Sequence, residues 1–174
     1  MDKTMRIWNI IGENTHTLTE FTGSVNSLTS LIQGKEKFII VGSSENKVKV
    51  FDQTDYKLQS KIGDFDTNTV VSIVTDIEGE FLFIGEKNGI VKIYYLGSDQ
   101  DKYEEGGDLK QMMNIGTNLN CLNFESIFYC FILLATEKGL LIRDIRIDTN
   151  FLKYPVDKDI PCLSLAWDVN SKIL

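Results

Sequence analysis

The chain holds one histidine, His16. An imidazole does acid–base or nucleophile-activating work only with a nucleophile and an orienting group converging on it. His16 sits in the polar stretch 12–19, a loop or the start of an outer strand, and no partner motif accompanies it. It reads as a solvated residue. The three cysteines, Cys121, Cys130 and Cys162, are odd in number and lack Cys-x-x-Cys spacing. Neither a disulfide framework nor a zinc set follows from them. With no Asn-x-Ser/Thr sequon, they point to a reducing, cytosolic compartment. Residues 64–68 (DFDTN) open like a calcium loop, but Thr69 stands where glycine is required and Thr75 where a bidentate glutamate is required. Phosphate-cradling glycine motifs are absent. The sequence therefore implies no cofactor, no metal and no small-molecule substrate.

Aromatic side chains at Phe124, Phe128, Tyr129 and Phe131 invite comparison with a stacking platform for single-stranded nucleic acid. Such platforms run beside basic grooves, and this chain has a net charge of −7. Its lysines alternate with acids, as in Lys35-Glu36-Lys37 and Lys102 near Glu104 and Glu105. That pattern is a mixed solvated surface without strong grip on phosphate, and the aromatics read as core. The longest uncharged apolar stretch, 126–136, is too short for a membrane span of about 20 residues. It reads as a buried strand.

The elements that carry these residues repeat. Four segments share one pattern: 2–9 (DKTMRIWN), 45–52 (ENKVKVFD), 88–95 (NGIVKIYY) and 137–144 (EKGLLIRD). Each opens on an acidic or turn-forming residue (Asp2, Glu45, Asn88, Glu137). An alternating strand follows and ends on a large side chain (Trp8, Phe51, Tyr94, Arg143). The large side chains lie 43, 43 and 49 residues apart, and the excess is expected in the polar loop 97–108. Between them, alternating runs at 56–62, 70–74, 81–85, 119–124, 128–136 and 139–145 read as further strands, with turns at Glu78-Gly79 and Asn88-Gly89. No helix-period segment of useful length is present.

A period of about 40–45 residues with four strands per repeat is that of WD40 β-propellers. The expected fold is all-β, a partial ring of about three complete blades and two partial ones in a single domain over 1–174. The repeat segments fall at 1–9, 10–52, 53–95, 96–144 and 145–174. The chain resembles the WD40 proteins at these residues. More narrowly, it is similar to the receptor for activated C kinase family, the Gβ-like scaffolds of the small ribosomal subunit. The similarity lies in 2–9, in Val48-Lys49-Val50 followed by Tyr56-Lys57-Leu58, in the pair 122–124 and 135–136, and in 162–167 ending at Trp167. Their order matches the family's third to seventh blades.

The sequence departs from the family as well. Asp52 and Asp144 keep the aspartate of the Trp-Asp ending, but Asn9 and Tyr95 replace it elsewhere. The Gly-His pair is missing in every repeat. The family's buried Asp–His–Ser/Thr–Trp hydrogen-bond network is therefore expected to be broken, leaving the blades to depend on apolar packing. A ring of seven blades needs about 300 residues at this repeat length. The chain is accordingly expected to be a piece of a longer ring, or to have its open ends covered by partners.

The resemblance implies a non-enzymatic scaffold on the head of the small (40S) ribosomal subunit, cytoplasmic and ribosome-associated. Its partners would be small-subunit ribosomal proteins, rRNA, and signalling proteins such as kinases, with no membrane span. It also implies a phosphorylation and docking site at Tyr129, which falls at an expected hairpin turn, and a contact loop in 148–159. The alternative is a WD40 subunit of another complex: a G-protein β subunit, a ubiquitin-ligase adaptor or a trafficking coat. A propeller hydrolase or lyase would need polar residues converging on a channel, and none is identifiable.

Overall fold

Period-2 alternation along most of the chain dictates strands, and a computed structural model shows them. It describes residues 2–45, 47–63, 69–97, 107–125, 130–147, 149–155 and 161–166, with the backbone alone over 149–155. The described residues are all-β, with fourteen strands and no helix. Every sheet is an antiparallel meander. The first has two strands, β1 (Met5–Trp8) and β2 (Asn14–Leu18). The second has four, β3 (Val25–Gln33), β4 (Glu36–Ser43), β5 (Val48–Asp52) and β6 (Leu58–Ile62). The third comprises β7 (Val70–Thr75), β8 (Phe81–Glu86), β9 (Ile90–Tyr95) and β10 (Asp108–Asn114). The fourth comprises β11 (Leu119–Phe124), β12 (Phe131–Thr136), β13 (Gly139–Asp144) and β14 (Thr149–Pro155). This arrangement is consistent with part of a propeller-like fold.

The four repeat segments fall on equivalent strands. Trp8, Phe51, Tyr94 and Arg143 lie at the ends of β1, β5, β9 and β13. Repeat and sheet are out of phase by one strand, because β2 pairs with β1 and so belongs to the sheet before its own repeat segment. One expectation changes here. Part of 148–159, expected as a contact loop, forms β14 and pairs with β13 from Gly139 to Asp144. Without it, β13 would expose a full row of unpaired backbone groups, which is the usual liability of an edge.

Alternation sends successive side chains into opposite interfaces. Phe38 and Ile40 of β4, Val48 and Val50 of β5, and Ile62 meet Val70, Ile73, Leu82, Ile84 and Tyr94 of the third sheet. The intervening Val41 and Phe51 point the other way, onto Met5 and Phe21, with Ile7, Leu18 and Ile39 beside them. Phe83, Val91 and Ile93 leave the third sheet on its far side and meet Leu119, Leu122, Phe124, Ile132 and Leu134. The core is thus three apolar layers between four sheets. Second strands buried on both faces read as near-continuous apolar runs, as β8 and β12 do.

Inner strands join the second sheet to the third and the third to the fourth through a related set of contacts. Asn26, Val71 and Asn120 are each bulged out of register in β3, β7 and β11. Bulges twist and re-aim the strand locally. Here they bring the next residue, Ser27 or Ser72, to the following sheet. Ser27 Oγ accepts from the Ile73 amide at 3.0 Å. Ser72 Oγ accepts from the Leu122 amide at 3.1 Å and donates to the Leu122 carbonyl at 3.2 Å. Asn26 Nδ2 donates to Val70 O at 2.9 Å, and Asn120 Nδ2 repeats that contact onto Cys162 O at 2.8 Å. Close approach also demands small residues. A Cβ at Gly42 would lie 2.6 Å from Val70 Cγ1, and one at Gly85 would lie 2.3 Å from Leu119 Cδ2.

Candidate functional site

The acids and the asparagine that open the four repeat segments differ in what they touch. Glu45, between β4 and β5, reaches the loop ahead of β3. Its Oε1 accepts from the amides of Thr22 (2.5 Å) and Gly23 (3.3 Å), and its Oε2 pairs with Lys49 at 2.7 Å. Lys49 also donates to Glu20 O and sits 4.9 Å over the Phe21 ring. Burial pushes the Glu45 carboxyl up, but Lys49 and the two amides outweigh it and hold it below its ordinary value. Two backbone amides and a buried lysine thus hold this turn acid in place. At the equivalent places, Asp2 pairs with Arg6 at 2.7 Å in an exposed setting. Asn88 only caps its own turn through the Ile90 amide, and Lys92 turns to Glu86 at 3.0 Å. Glu137 takes the Asn118 side-chain amide at 3.0 Å and Lys87 at 3.6 Å.

Of the strand-end residues, Phe51 and Tyr94 are buried, whereas Trp8 is 58% exposed. Asp52 and Asp144 cap the turns after their strands, accepting from the Thr54 and Arg146 amides. Asp144 is buried, and its bidentate contact with Arg146 (2.9 and 2.5 Å) holds its carboxyl down and the guanidinium up. His16 lies exposed on β2, its ring 4.3 Å from that of Tyr56. Cys121, Cys130 and Cys162 are free thiols, and burial pushes Cys130 up. Phe124 is core, stacked on Phe83 at 4.6 Å, and Phe131 is half-buried in β12. Tyr129, Phe128, Trp167 and residues 64–68 lie outside the described residues. No group of three or more His, Cys, Asp or Glu that could hold a metal occurs among the described residues.

A cleft opens between the third and fourth sheets. It encloses about 320 Å³, and its floor is Phe81, Phe83, Ile93, Phe124 and Ile145. One lip is the β7–β8 turn, with Asp76, Glu78 and Glu80; the other carries Lys110, Gln111 and Arg146. Asp76 is buried and caps the turn by accepting from the Phe81 amide at 2.9 Å. Burial, with Glu78 nearby, pushes its carboxyl up against that hydrogen bond. Both cations on the facing lip are already engaged, Arg146 with Asp144 and Lys110 with Asp108 at 3.5 Å. A shallower cleft of about 500 Å³ separates β1 from β3 and β4, lined by Met5, Ile7, Leu28 and Ile39 among others.

Sequence reasoning took Glu78-Gly79 as a turn and nothing more. The available signal was three acids within five residues, Asp76 to Glu80, directly before an aromatic strand. Compared with known proteins, the chain matches no protein-family model and no curated protein sequence.

Proposed function

We propose that this chain is a run of WD40-type propeller blades from a non-catalytic, cytoplasmic interaction scaffold on the head of the small ribosomal subunit. There it links translation to signalling proteins such as kinases. One observation carries the reading. The 43-residue recurrence falls on the third strand of successive meanders. The second meander is joined to the third, and the third to the fourth, through a bulged inner strand and a serine contact. Radial repetition of four-stranded sheets is how propellers bury both faces of every blade, and their function lies on the surfaces so presented. The resemblance at 2–9, 48–50 with 56–58, 122–124 with 135–136, and 162–167 supports the ribosomal assignment. Its partners are then small-subunit ribosomal proteins, with rRNA a minor one for so acidic a chain.

Sucrose-gradient sedimentation of lysate with detection of the protein tests this. Co-migration with small subunits and 80S particles, lost on a high-salt wash, is the expected result, because surface charge contacts are screened by salt. Confinement to light fractions would overturn it. The acidic lip of the cleft and the net charge of −7 favour, in that event, an adaptor of another complex: a G-protein β subunit, a ubiquitin-ligase adaptor or a trafficking coat.

A further inference from the structure

The cleft between the third and fourth sheets combines three features. Its floor is aromatic and aliphatic: Phe81, Phe83, Ile93, Phe124 and Ile145. At about 320 Å³ it falls at the lower end of the range of concave ligand sites, roughly 300–1,000 Å³. That is room for one or two large side chains. The second feature is charge. Arg146 and Lys110 are occupied by Asp144 and Asp108. Glu78 and Glu80 make no ion pair among the described residues, and with Asp76 they concentrate negative charge on one lip. The charge left over at the mouth is negative and faces an apolar floor. Third, two exposed large hydrophobics adjoin the lining residues: Ile77 in the turn between Asp76 and Glu78, and Ile147 directly after Arg146. A small ligand confined to the cleft would leave those two uncovered, whereas a polypeptide covers both cleft and margin.

From this geometry we propose that the cleft binds a linear peptide segment in which an apolar side chain, leucine or an aromatic, is flanked by lysine or arginine. The apolar side chain enters over Phe83 and Phe124. The flanking cations meet Glu78 and Glu80, and Gln111 offers an amide to the peptide backbone. Selectivity comes from both parts. An acidic segment is repelled at the lip, and a basic segment without the apolar anchor leaves the floor wet. The proposal rests on the scaffold reading only in taking the partner to be a protein, and it is independent of the ribosome.

The test is fluorescence polarisation on the full chain with a labelled octapeptide, Gly-Lys-Arg-Ser-Leu-Arg-Lys-Gly. Two twins serve as controls, one with glutamate in place of each basic residue and one with alanine in place of leucine. Saturable binding of the first peptide alone is expected, weakened about tenfold by Glu78→Lys with Glu80→Lys. Lys110→Glu, which adds a carboxylate to the opposite lip, should tighten binding. Far-UV circular dichroism and urea midpoints confirm that both variants fold. Absence of binding at roughly millimolar protein, where only about 4 kcal/mol of affinity is needed, would overturn the proposal. So would equal binding of the alanine twin, or binding indifferent to the Glu78/Glu80 reversal. Peptide binding by a protein that stays in light gradient fractions would sink the ribosomal assignment and leave this site standing. Co-sedimentation without peptide binding would do the reverse.

Discussion

Glu45 and Glu137 stand at the same point of the repeat, one at the β4–β5 turn and one at the β12–β13 turn, yet their surroundings differ. The Glu45 side chain is 10% exposed, paired with Lys49 and held by two loop amides. That of Glu137 is 47% exposed and meets one side-chain amide and a lysine at 3.6 Å. Four residues on, the same strand position holds Lys49 in one repeat and Leu141 in the other. Lys49 is buried and needs a counter-charge, while Leu141 joins the apolar layer against the third sheet. The turn closes over a buried pair where the cation four residues on is itself buried, as Lys49 is, whereas Asp2 and Arg6 form the same pair in an exposed setting. Lys92 supports the point. With Asn88 at its turn position, it finds Glu86 instead.

The sharpest way to break the contrast is Glu45→Ala. It leaves Lys49 buried without its carboxylate, and loss of one partner of a buried pair costs about 3–5 kcal/mol. Urea denaturation should therefore show a large drop in midpoint. Glu45→Gln combined with Lys49→Leu imports the leucine of the fourth repeat and keeps an acceptor for the Thr22 and Gly23 amides. Stability within about 1 kcal/mol of wild type is expected for that pair. If the double variant is as damaged as Glu45→Ala, the cation is not the deciding partner.

Acid titration sharpens the same comparison. The folded Glu45 carboxyl is held below its ordinary value of 4.5, so its stabilisation is fully present above that value. It is lost as pH falls through the lower, folded value. The wild-type urea midpoint should fall over that acid window by more than the midpoint of Glu45→Gln, measured from pH 6 down to pH 2. Parallel profiles would remove Glu45 from the account of acid stability. Asp144, held down by Arg146, titrates in the same direction in both proteins and cancels in the comparison.

A smaller effect separates the two interlocking serines. Ser72 both accepts from and donates to Leu122 in a buried setting, whereas Ser27 only accepts from Ile73. Ser72→Ala orphans two backbone groups and should cost about 1–3 kcal/mol; Ser27→Ala orphans one and should cost about 1 kcal/mol. Equal losses would mean that the donated bond to Leu122 O adds nothing.

These serines also mark how far the sequence could be read. Strand positions and the 43-residue period were legible because alternation and turn residues are local signals. The recurring positions at Phe51, Tyr94 and Arg143 fall on the third strands of the three four-stranded sheets. Nothing local shows that Ser27 and Ser72 touch the following sheet. That contact depends on the bulges at Asn26 and Val71, which a strand pattern does not reveal. The small residues Gly42 and Gly85 were a readable signal for the close approach of sheets, once the strands are aligned. Trp8 was misleading, because its type suggests core while its position on β1 leaves it exposed. The cleft was the least legible feature. Its floor draws Phe83 and Phe124 from different sheets, and its acids look in sequence like an ordinary solvated turn.

The smallest expected effect lies at Glu137 itself. Its contact with Lys87 is long and half exposed on both sides, and such pairs contribute about 0–1 kcal/mol. Asn118 can find water when the carboxylate goes. Glu137→Gln should therefore move the urea midpoint by no more than about 0.5 kcal/mol. Leu141→Lys provides the complementary step. It places a cation where Lys49 stands in the second sheet, four residues after an acid. If the cation decides, Leu141→Lys with Glu137 present should be more stable than Leu141→Lys with Glu137→Gln, by a margin that Glu137→Gln alone does not show. A double-mutant cycle with no coupling would mean that the β4–β5 turn owes its closure to the Thr22 and Gly23 amides, and that Lys49 follows the carboxylate and does not recruit it.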